Sequence, residues 1–213
     1  LDSNTTASNN IAIGYAALGA NTTGANNVAI GYNTLDAETG LSGITAVGYA
    51  ALSALSTGTG GVAVGYRALT ANTTGNNNTA VGYDAGAAIT TGGQNTVVGT
   101  LALDACTTGG DNTVMGYLAG TALNSSSNTL IGYSAGGAVT TGGSNTIVGH
   151  QAGDAITTGE QNCIMGKNAG TDISTGNYNV CIGTSAGDSL TTGSLNTAVG
   201  QSALFATTTV SYL

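Results

Sequence analysis

Two neighbouring positions of this chain are apolar once every 17 residues. Taking the glycine that follows them as position 0, position −1 holds a large apolar side chain in all twelve repeats, from Ile13 to Val199. Position −2 is apolar throughout, and its residues are Ala12, Ala29, Ala46, Ala63, Ala80, Val97, Val114, Leu130, Ile147, Ile164, Cys181 and Ala198. A short period held along the whole sequence is typical of a solenoid, in which each repeat forms one coil.

The glycine at position 0 is the most regular residue of the repeat. The twelve anchor glycines are Gly14, Gly31, Gly48, Gly65, Gly82, Gly99, Gly116, Gly132, Gly149, Gly166, Gly183 and Gly200. Every spacing is 17 residues except one of 16, between Gly116 and Gly132. The apolar run before each glycine predicts one short strand per coil, and therefore an all-β, parallel β-solenoid over residues 1–206. Residues 207–213 depart from the repeat and are predicted to form a cap or to begin a following segment.

Adjacent residues of a strand point to opposite faces, so apolar residues at both −2 and −1 predict a strand that is dry on both sides. One face can point into the interior of the coil, and the other needs a second chain to cover it. We therefore predict an obligate oligomer. The candidate interface is the −2 column, whose alanines, with those at position +3 such as Ala17 and Ala51, would let two chains approach closely. The alternative is a monomeric solenoid with an unusually wide apolar interior.

Positions +4 and +7 compensate for each other in size. Position +4 is leucine in six repeats and glycine in the other six. Where it is glycine, +7 is large and apolar, as at Ile89 and Ile156, and where it is leucine, +7 is mostly small or polar, as at Asn21 and Asn72. Leu55 is the exception. Close packing at constant volume predicts that both positions fill the same interior space.

Asparagine occupies position −4 in ten of the twelve repeats. These residues are Asn10, Asn27, Asn78, Asn95, Asn112, Asn128, Asn145, Asn162, Asn179 and Asn196, and the two departures are Ile44 and Gly61. Stacked asparagines can form amide ladders, and asparagine tolerates left-handed backbone geometry. We predict an asparagine ladder at one corner of the coil. The short repeat loses its residue in the loop 124–127, as expected for a deletion in a turn.

The charge balance excludes some classes of partner. The chain has two Lys or Arg residues and ten Asp or Glu residues, a net charge of −8. Such a surface repels nucleic acid and offers no basic patch to anionic lipid. No stretch is long and apolar enough for a transmembrane helix, so we expect no membrane insertion by this segment. Residues 1–9 are interpreted as part of a preceding coil, and residues 207–213 as a cap or the start of a following segment, so we expect the natural protein to continue beyond both ends.

Few residues offer chemistry, and no cofactor or metal is predicted. The single histidine, His150, is interpreted as a member of a polar ladder, although a three-histidine metal site on a threefold axis is an alternative. Aspartates recur at position +5 (Asp36, Asp104, Asp154 and Asp188), and solvated surface charge is favoured over a Ca²⁺ site. The three cysteines, Cys106, Cys163 and Cys181, are interpreted as small buried hydrophobes. A bridge between Cys163 and Cys181 is disfavoured because their positions face opposite sides of a strand.

Position +1 is tyrosine in seven repeats. These residues are Tyr15, Tyr32, Tyr49, Tyr66, Tyr83, Tyr117 and Tyr133. Stacked tyrosines commonly seal a corner of a strand, which is the favoured interpretation. Aromatic faces also pair with the C–H groups of sugars, so glycan contact by this column is a second hypothesis.

The segments 9–14 and 26–31 (Asn-Asn-Ile-Ala-Ile-Gly and Asn-Asn-Val-Ala-Ile-Gly) resemble the Asn-Ser-Val-Ala-Ile-Gly motif of trimeric autotransporter adhesin heads. The unit 78–83, followed by Thr-Thr-Gly at 90–92, resembles repeats of phage-type tail-fibre and related bacterial surface proteins. The resemblance covers essentially the whole chain but departs from the adhesin heads in coil length and in the threonine at −3. It implies a left-handed β-roll that packs as a homotrimer, located outside the cell on a cellular or virion surface.

These observations favour a structural and adhesive module of an extracellular fibre over an enzyme. Its partners would be further copies of itself, as a trimer or higher fibre, and a cell-surface glycan or protein receptor bound at a tip or attached domain. An ice-binding solenoid is the alternative, since threonine recurs at −3, although Val62, Cys163 and Val180 interrupt that column. Glycan hydrolysis is disfavoured because the repeat offers no convincing carboxylate pair.

Overall fold

The computed structural model describes residues 3–206 and 208–213, and it is all-β. Each repeat contributes one three-residue strand ending at position −1. The strands are β1 Ile11–Ile13, β2 Val28–Ile30, β3 Thr45–Val47, β4 Val62–Val64, β5 Thr79–Val81, β6 Thr96–Val98, β7 Thr113–Met115, β8 Thr129–Ile131, β9 Thr146–Val148, β10 Cys163–Met165, β11 Val180–Ile182 and β12 Thr197–Val199. The parallel β-solenoid predicted from the 17-residue period is thus confirmed. The described residues include no helix with the length and apolarity that crossing a bilayer requires.

The chain divides into two compact units, Leu1–Gly110 and Asp111–Leu213. The first unit holds β1 to β6 and the second holds β7 to β12. Within each unit consecutive strands pair in parallel, with equivalent repeat positions side by side, as in Ala29↔Ala46 and Ile164↔Cys181. The 16-residue repeat keeps this register, because Met115 pairs with Ile131 and the missing residue falls in the loop.

The interior of each coil is filled from positions −2, +3, +4 and +7, which are buried in nearly every repeat. The predicted sharing of space by +4 and +7 is confirmed. A Cβ added to Gly86 would lie 2.9 Å from Cδ1 of Ile89, and one added to Gly170 would lie 2.9 Å from Cδ1 of Ile173. Each coil therefore has room for one large filler from these two positions.

Side chains at position −2 share the interior space of positions +4 and +7. The sequence analysis did not predict this. A Cβ added to Gly153 would lie 3.1 Å from Cδ1 of Ile147, and one added to Gly120 would lie 2.8 Å from Cδ1 of Leu130. Repeats with leucine at +4 mostly carry alanine at −2, and repeats with glycine at +4 mostly carry a larger residue there. The alanines of the −2 column thus make room for leucine within their own chain.

The anchor glycines hold neighbouring coils at close approach. Their φ angles lie between +119° and +145°, a range that L-residues rarely adopt. A Cβ at Gly149 would also overlap the carbonyl oxygen of Gly166 in the next coil. At Gly200 the same Cβ would meet no atom within 4 Å. Glycine is therefore required at position 0 by backbone conformation in every coil and by coil contact in most.

Each coil bends through left-handed backbone at three further positions, −5, +2 and +4. At +4 the six leucines have φ angles of 50–54°, almost the same as the 55–65° of the six glycines that replace them. A non-glycine residue in this region costs about 1 kcal/mol or more, so its burial must offset that cost. Five of the six leucines are fully buried, as at Leu18 and Leu69, which supplies the compensation, and only Leu204, in the last coil, is half-buried.

Both ends of the described chain keep the hydrogen bonds of the repeat. Near the N-terminus, the backbone N–H of Ala7 donates to Oδ1 of Asn4 at 2.9 Å, the same turn that Asn21 makes with Gly24. Near the C-terminus, the N–H of Leu213 donates to Oδ1 of Asn196, at the next −4 position. Residues 208–213 thus continue the coil geometry despite their divergent sequence. Thr207 lies outside the described residues, and the predicted boundary after residue 206 stays a prediction.

Candidate functional site

The outward side of the strands is an apolar surface. We call the −3 and −1 columns together the sheet face. Every residue at −1 is half-buried or exposed, and the exposed fraction reaches 38% at Val81, 44% at Met115 and 59% at Ile13. Single exposed apolar residues are ordinary, but a column of them repeated coil after coil is a candidate interaction surface.

The predicted interface column at −2 is wrong, because these residues face the interior. Eleven of the twelve are fully buried within their own chain, and only Ala12, in the first coil, is half-buried. The +3 alanines also point inward, and ten of the eleven are buried. The inference of two apolar faces holds, but it assigned the faces the wrong way round. Alanine at −2 admits the large filler of its own coil rather than a neighbouring chain.

The sheet face differs in composition between the two units. In the first unit its −3 residues are Ile11, Val28, Thr45, Val62, Thr79 and Thr96. In the second unit they are Thr113, Thr129, Thr146, Cys163, Val180 and Thr197. Position −1 is aliphatic throughout the first unit and includes Met115 and Met165 in the second. Both faces are free of charged side chains, which favours contact with another weakly polar surface.

The +1 tyrosines form a stacked ladder beside the sheet face. From Tyr15 to Tyr83 the ring centroids of neighbours are 4.8–5.4 Å apart and the ring planes differ by at most 16°. In the second unit Tyr117 stacks on Tyr133, and Tyr133 stacks on His150 at 4.9 Å. The ladder interpretation, including His150 as a member, is confirmed.

Stacking changes what the tyrosines can bind. The inner rings, Tyr32, Tyr49 and Tyr66, have a neighbouring ring stacked on both sides and are 40–47% exposed. Because stacking covers the ring faces, we infer that the edges and hydroxyl groups are the parts open to a ligand. A sugar that stacks through its C–H groups needs a free ring face. The inner tyrosines are therefore unsuited to the glycan contact that was hypothesised for this column.

The asparagine ladder is present and makes two kinds of hydrogen bond. Within a coil, the side-chain amide of Asn95 donates to the carbonyl oxygen of Gly109 at 3.0 Å, which closes the corner. Between coils, the N–H of Asn95 donates to Oδ1 of Asn78 at 3.0 Å. Where Ile44 replaces asparagine, its backbone N–H still donates to Asn27. The ladder satisfies buried backbone groups and is structural rather than a ligand site.

A second ladder at position +8 was not predicted. Thr73 donates its hydroxyl hydrogen to the carbonyl oxygen of Thr90 at 3.2 Å, and Thr90 repeats this bond to Thr107 at 3.0 Å. Thr140, Thr157 and further residues of the second unit do the same. The Thr-Thr pairs that precede the corner glycine were the available signal. Their first hydroxyls are used inside the fold, and the second threonines, at +9, are exposed.

Of the four +5 aspartates, Asp36 and Asp104 belong to the first unit and Asp154 and Asp188 to the second. Asp154 lines an open cleft of about 440 Å³ together with Gln151, Ala155, Asn168, Thr171 and Asp172. Burial raises the pKa of the Asp154 carboxyl, and the charges of Asp172 and Asp188 raise it further. Thr171 donates a hydrogen bond to Asp188. Among the described residues no three His, Cys, Asp or Glu side chains lie together in a way that could hold a metal ion.

The cysteines are unpaired, and they differ in environment. Cys106 and Cys181 are buried, as predicted, and burial raises the pKa of the Cys181 thiol to about 11. Cys163 lies on the sheet face at −3 and is only half-buried, so its assignment as a buried hydrophobe is wrong. Cys163 and Cys181 point to opposite sides of the sheet, which confirms the argument against a bridge between them.

Comparison of the chain with family models, with curated proteins and with solved structures found no match.

Proposed function

We propose that this chain is a structural and adhesive module of an extracellular fibre, assembled as a homotrimer through the sheet face. The observation that carries the proposal is the outward apolar column at −1, which recurs in every described coil. Burying such a column against an identical column removes apolar area from water at about 25 cal/mol per Å². A repeated strip favours a repeated partner, and a second copy of the same chain has the same spacing.

The rest of the coil supports a passive, rigid role. Asparagine and threonine side chains are used in ladders between coils, and the interior is closely packed. His150 stacks on Tyr133 at 4.9 Å as a further member of the ladder. The fibre would act by projecting a receptor-binding tip and by presenting several copies of it, which gives avidity without new contacts. A cell-surface glycan or protein is the proposed receptor of that tip.

Light-scattering mass measured during size-exclusion chromatography tests the proposal. We expect three chains per particle, and a Val64→Lys/Val81→Lys variant, which places two charges on the sheet face, should shift the protein towards monomer. The matched control is Thr74→Lys/Thr91→Lys, which places the same charges at the exposed +9 corner and should leave the mass unchanged. A monodisperse single chain at high concentration would contradict the proposal.

One observation favours ice binding as a second candidate. Threonine at −3 and an aliphatic residue at −1 both point outward from a regular parallel sheet, with Thr96, Thr146 and Thr197 exposed. An outward threonine array of regular spacing is what ice binding requires. Thermal hysteresis of the purified protein decides between the candidates, because strong hysteresis from a single-chain particle, lost on Thr146→Tyr, would replace the fibre proposal.

A further inference from the structure

The tyrosine ladder of the first unit borders a strip that has no side chains. The anchor glycines lie between the +1 tyrosines and the −1 aliphatic residues, and Gly31, Gly48, Gly65 and Gly82 are partly exposed. Along one edge of the strip stand the tyrosine rings, 40–50% exposed from Tyr32 to Tyr83. Along the other stands the aliphatic column that includes Val81. The strip therefore runs across the coils with an aromatic border and an aliphatic border.

The geometry of the ladder defines the shape of a ligand that would fit. The rings present their edges because their faces are stacked, at steps of 4.8–5.4 Å over five coils. Ring edges carry partial positive charge and prefer to contact the face of another π-system. A ligand that uses several rungs at once must be flat, rigid and long enough to cross them. An elongated conjugated aromatic molecule, lying parallel to the axis of the coils, has these properties.

The charges around the tyrosine ladder further restrict the kind of ligand that could bind there. Arg67 is the only Lys or Arg residue of the first unit, and its Nε lies 3.6 Å from Oδ1 of Asp84. The net charge of −8 disfavours an anion and favours a neutral or cationic molecule. In the second unit position +1 continues after His150 with Lys167, Thr184 and Gln201, so its ladder is shorter and ends beside a positive charge.

We propose that the tyrosine ladder from Tyr15 to Tyr83 is a binding site for an elongated, flat, conjugated aromatic molecule that is neutral or cationic. This site is distinct from the tip receptor of the proposed fibre. Its aliphatic border belongs to the sheet face, so a trimer that buries the sheet face leaves the tyrosine border as the accessible side of the strip. The ligand would contact the edges of the tyrosine rings, and the sequence alone does not show whether edges or faces are accessible.

Thioflavin T, a flat cationic dye, is the probe. The full chain, shown by light scattering to be free of aggregates, should give a saturable rise in dye fluorescence. Tyr32→Ser/Tyr49→Ser breaks the ladder and should weaken dye binding roughly tenfold, because the dye loses its contacts with two of the five rungs. Tyr117→Ser/Tyr133→Ser removes the same number of tyrosines from the second unit and should leave the affinity unchanged. Circular dichroism verifies that both variants are folded.

A variant that should bind the dye more tightly keeps the test independent of any loss of folding in the serine variants. Thr100 occupies position +1 next to Tyr83 in the repeat and is exposed, so Thr100→Tyr adds a sixth rung and should tighten dye binding. Tyr49→Phe keeps the ring and should retain binding. The proposal is overturned if the unaltered protein shows no saturable binding, if both serine variants bind equally well, or if Thr100→Tyr leaves the affinity unchanged.

Discussion

Asn145 and Asn162, 17 residues apart, share a buried hydrogen-bonded position. The backbone N–H and the side-chain amide of Asn162 both donate to Oδ1 of Asn145, at 3.0 and 3.1 Å. The side-chain amide of Asn145 donates to the carbonyl oxygen of Gly159 at 2.9 Å. One side chain therefore bonds to buried groups of two coils, and its removal deprives the Asn162 backbone N–H and the Gly159 carbonyl oxygen of these hydrogen bonds.

Asn145→Ala should lower the free energy of unfolding by about 2–4 kcal/mol, because buried polar groups left unpaired each cost about 1–3 kcal/mol. Chemical denaturation monitored by circular dichroism measures this. Thr158→Ala, at the exposed +9 corner, is the control and should change stability by less than about 0.5 kcal/mol. Similar losses in the two variants would contradict the structural role of the ladder.

Gly149→Ala should be far more damaging than Gly200→Ala. Both glycines have positive φ, at +145° and +119°, so both substitutions incur backbone strain of about 1–2 kcal/mol. Only at Gly149 does the added methyl group also overlap the carbonyl oxygen of the next coil. The difference in melting temperature between the two variants isolates the contact between coils. Equal melting temperatures would mean that backbone conformation alone conserves the anchor glycine from coil to coil.

Converting one coil from the glycine type to the leucine type tests the shared interior space. One coil has Ala80, Gly86 and Ile89 at positions −2, +4 and +7, and the preceding coil has Ala63, Leu69 and Asn72 there. The double variant Gly86→Leu/Ile89→Asn gives both coils the same residues at these positions. Gly86→Leu alone overpacks the coil and Ile89→Asn alone leaves a cavity, each costing about 1–4 kcal/mol. The double variant should recover at least about 1 kcal/mol relative to the sum of the single variants. Thermal unfolding of all four proteins measures the coupling, and strict additivity would show that the two positions do not share space.

Glu38→Gln should stabilise the protein at neutral pH. Glu38 is fully buried at +7, its Oε2 has no hydrogen-bond partner, and burial raises the pKa of its carboxyl above 4.5. A carboxyl with a raised folded-state pKa destabilises the fold as pH rises from its unfolded pKa through its folded one. The variant should therefore melt higher than the unaltered protein at pH 7 and about equally at pH 4. Glu160→Gln, at an exposed position, should show no such pH-dependent difference.

One of the three thiols should react quickly with a thiol reagent in the folded protein. Burial raises the pKa of the Cys106 and Cys181 thiols, which suppresses the reactive thiolate and blocks access. Cys163 is half-buried on the sheet face. Titration of the Val64→Lys/Val81→Lys variant, whose sheet face should be uncovered, with Ellman's reagent at pH 8 should count one fast thiol, and adding Cys163→Ser should remove it. Three fast thiols without denaturant would contradict the buried placement of the other two.

The structure of the coil could be predicted from the sequence because the residues that determine it act over short distances. Three signals depend only on contacts within one coil or between equivalent residues of adjacent coils. They are glycine at position 0, asparagine at −4, and the compensation in side-chain size between +4 and +7. Leu69 and Gly86 illustrate this, since both occupy position +4 with nearly the same φ angle.

The sequence by itself determined the number of coils, their parallel stacking, the ladders and the location of the deletion, because a fixed period forces equivalent residues side by side. Only the tertiary structure decided which apolar column faces inward. Alternation within a strand makes −2 and −1 opposite but does not say which one is inside, and only the burial of −2 and the exposure of −1 in the folded coil distinguish them. The stacking of equivalent coils also placed the tyrosines face to face, which left their edges as the surface available to a ligand.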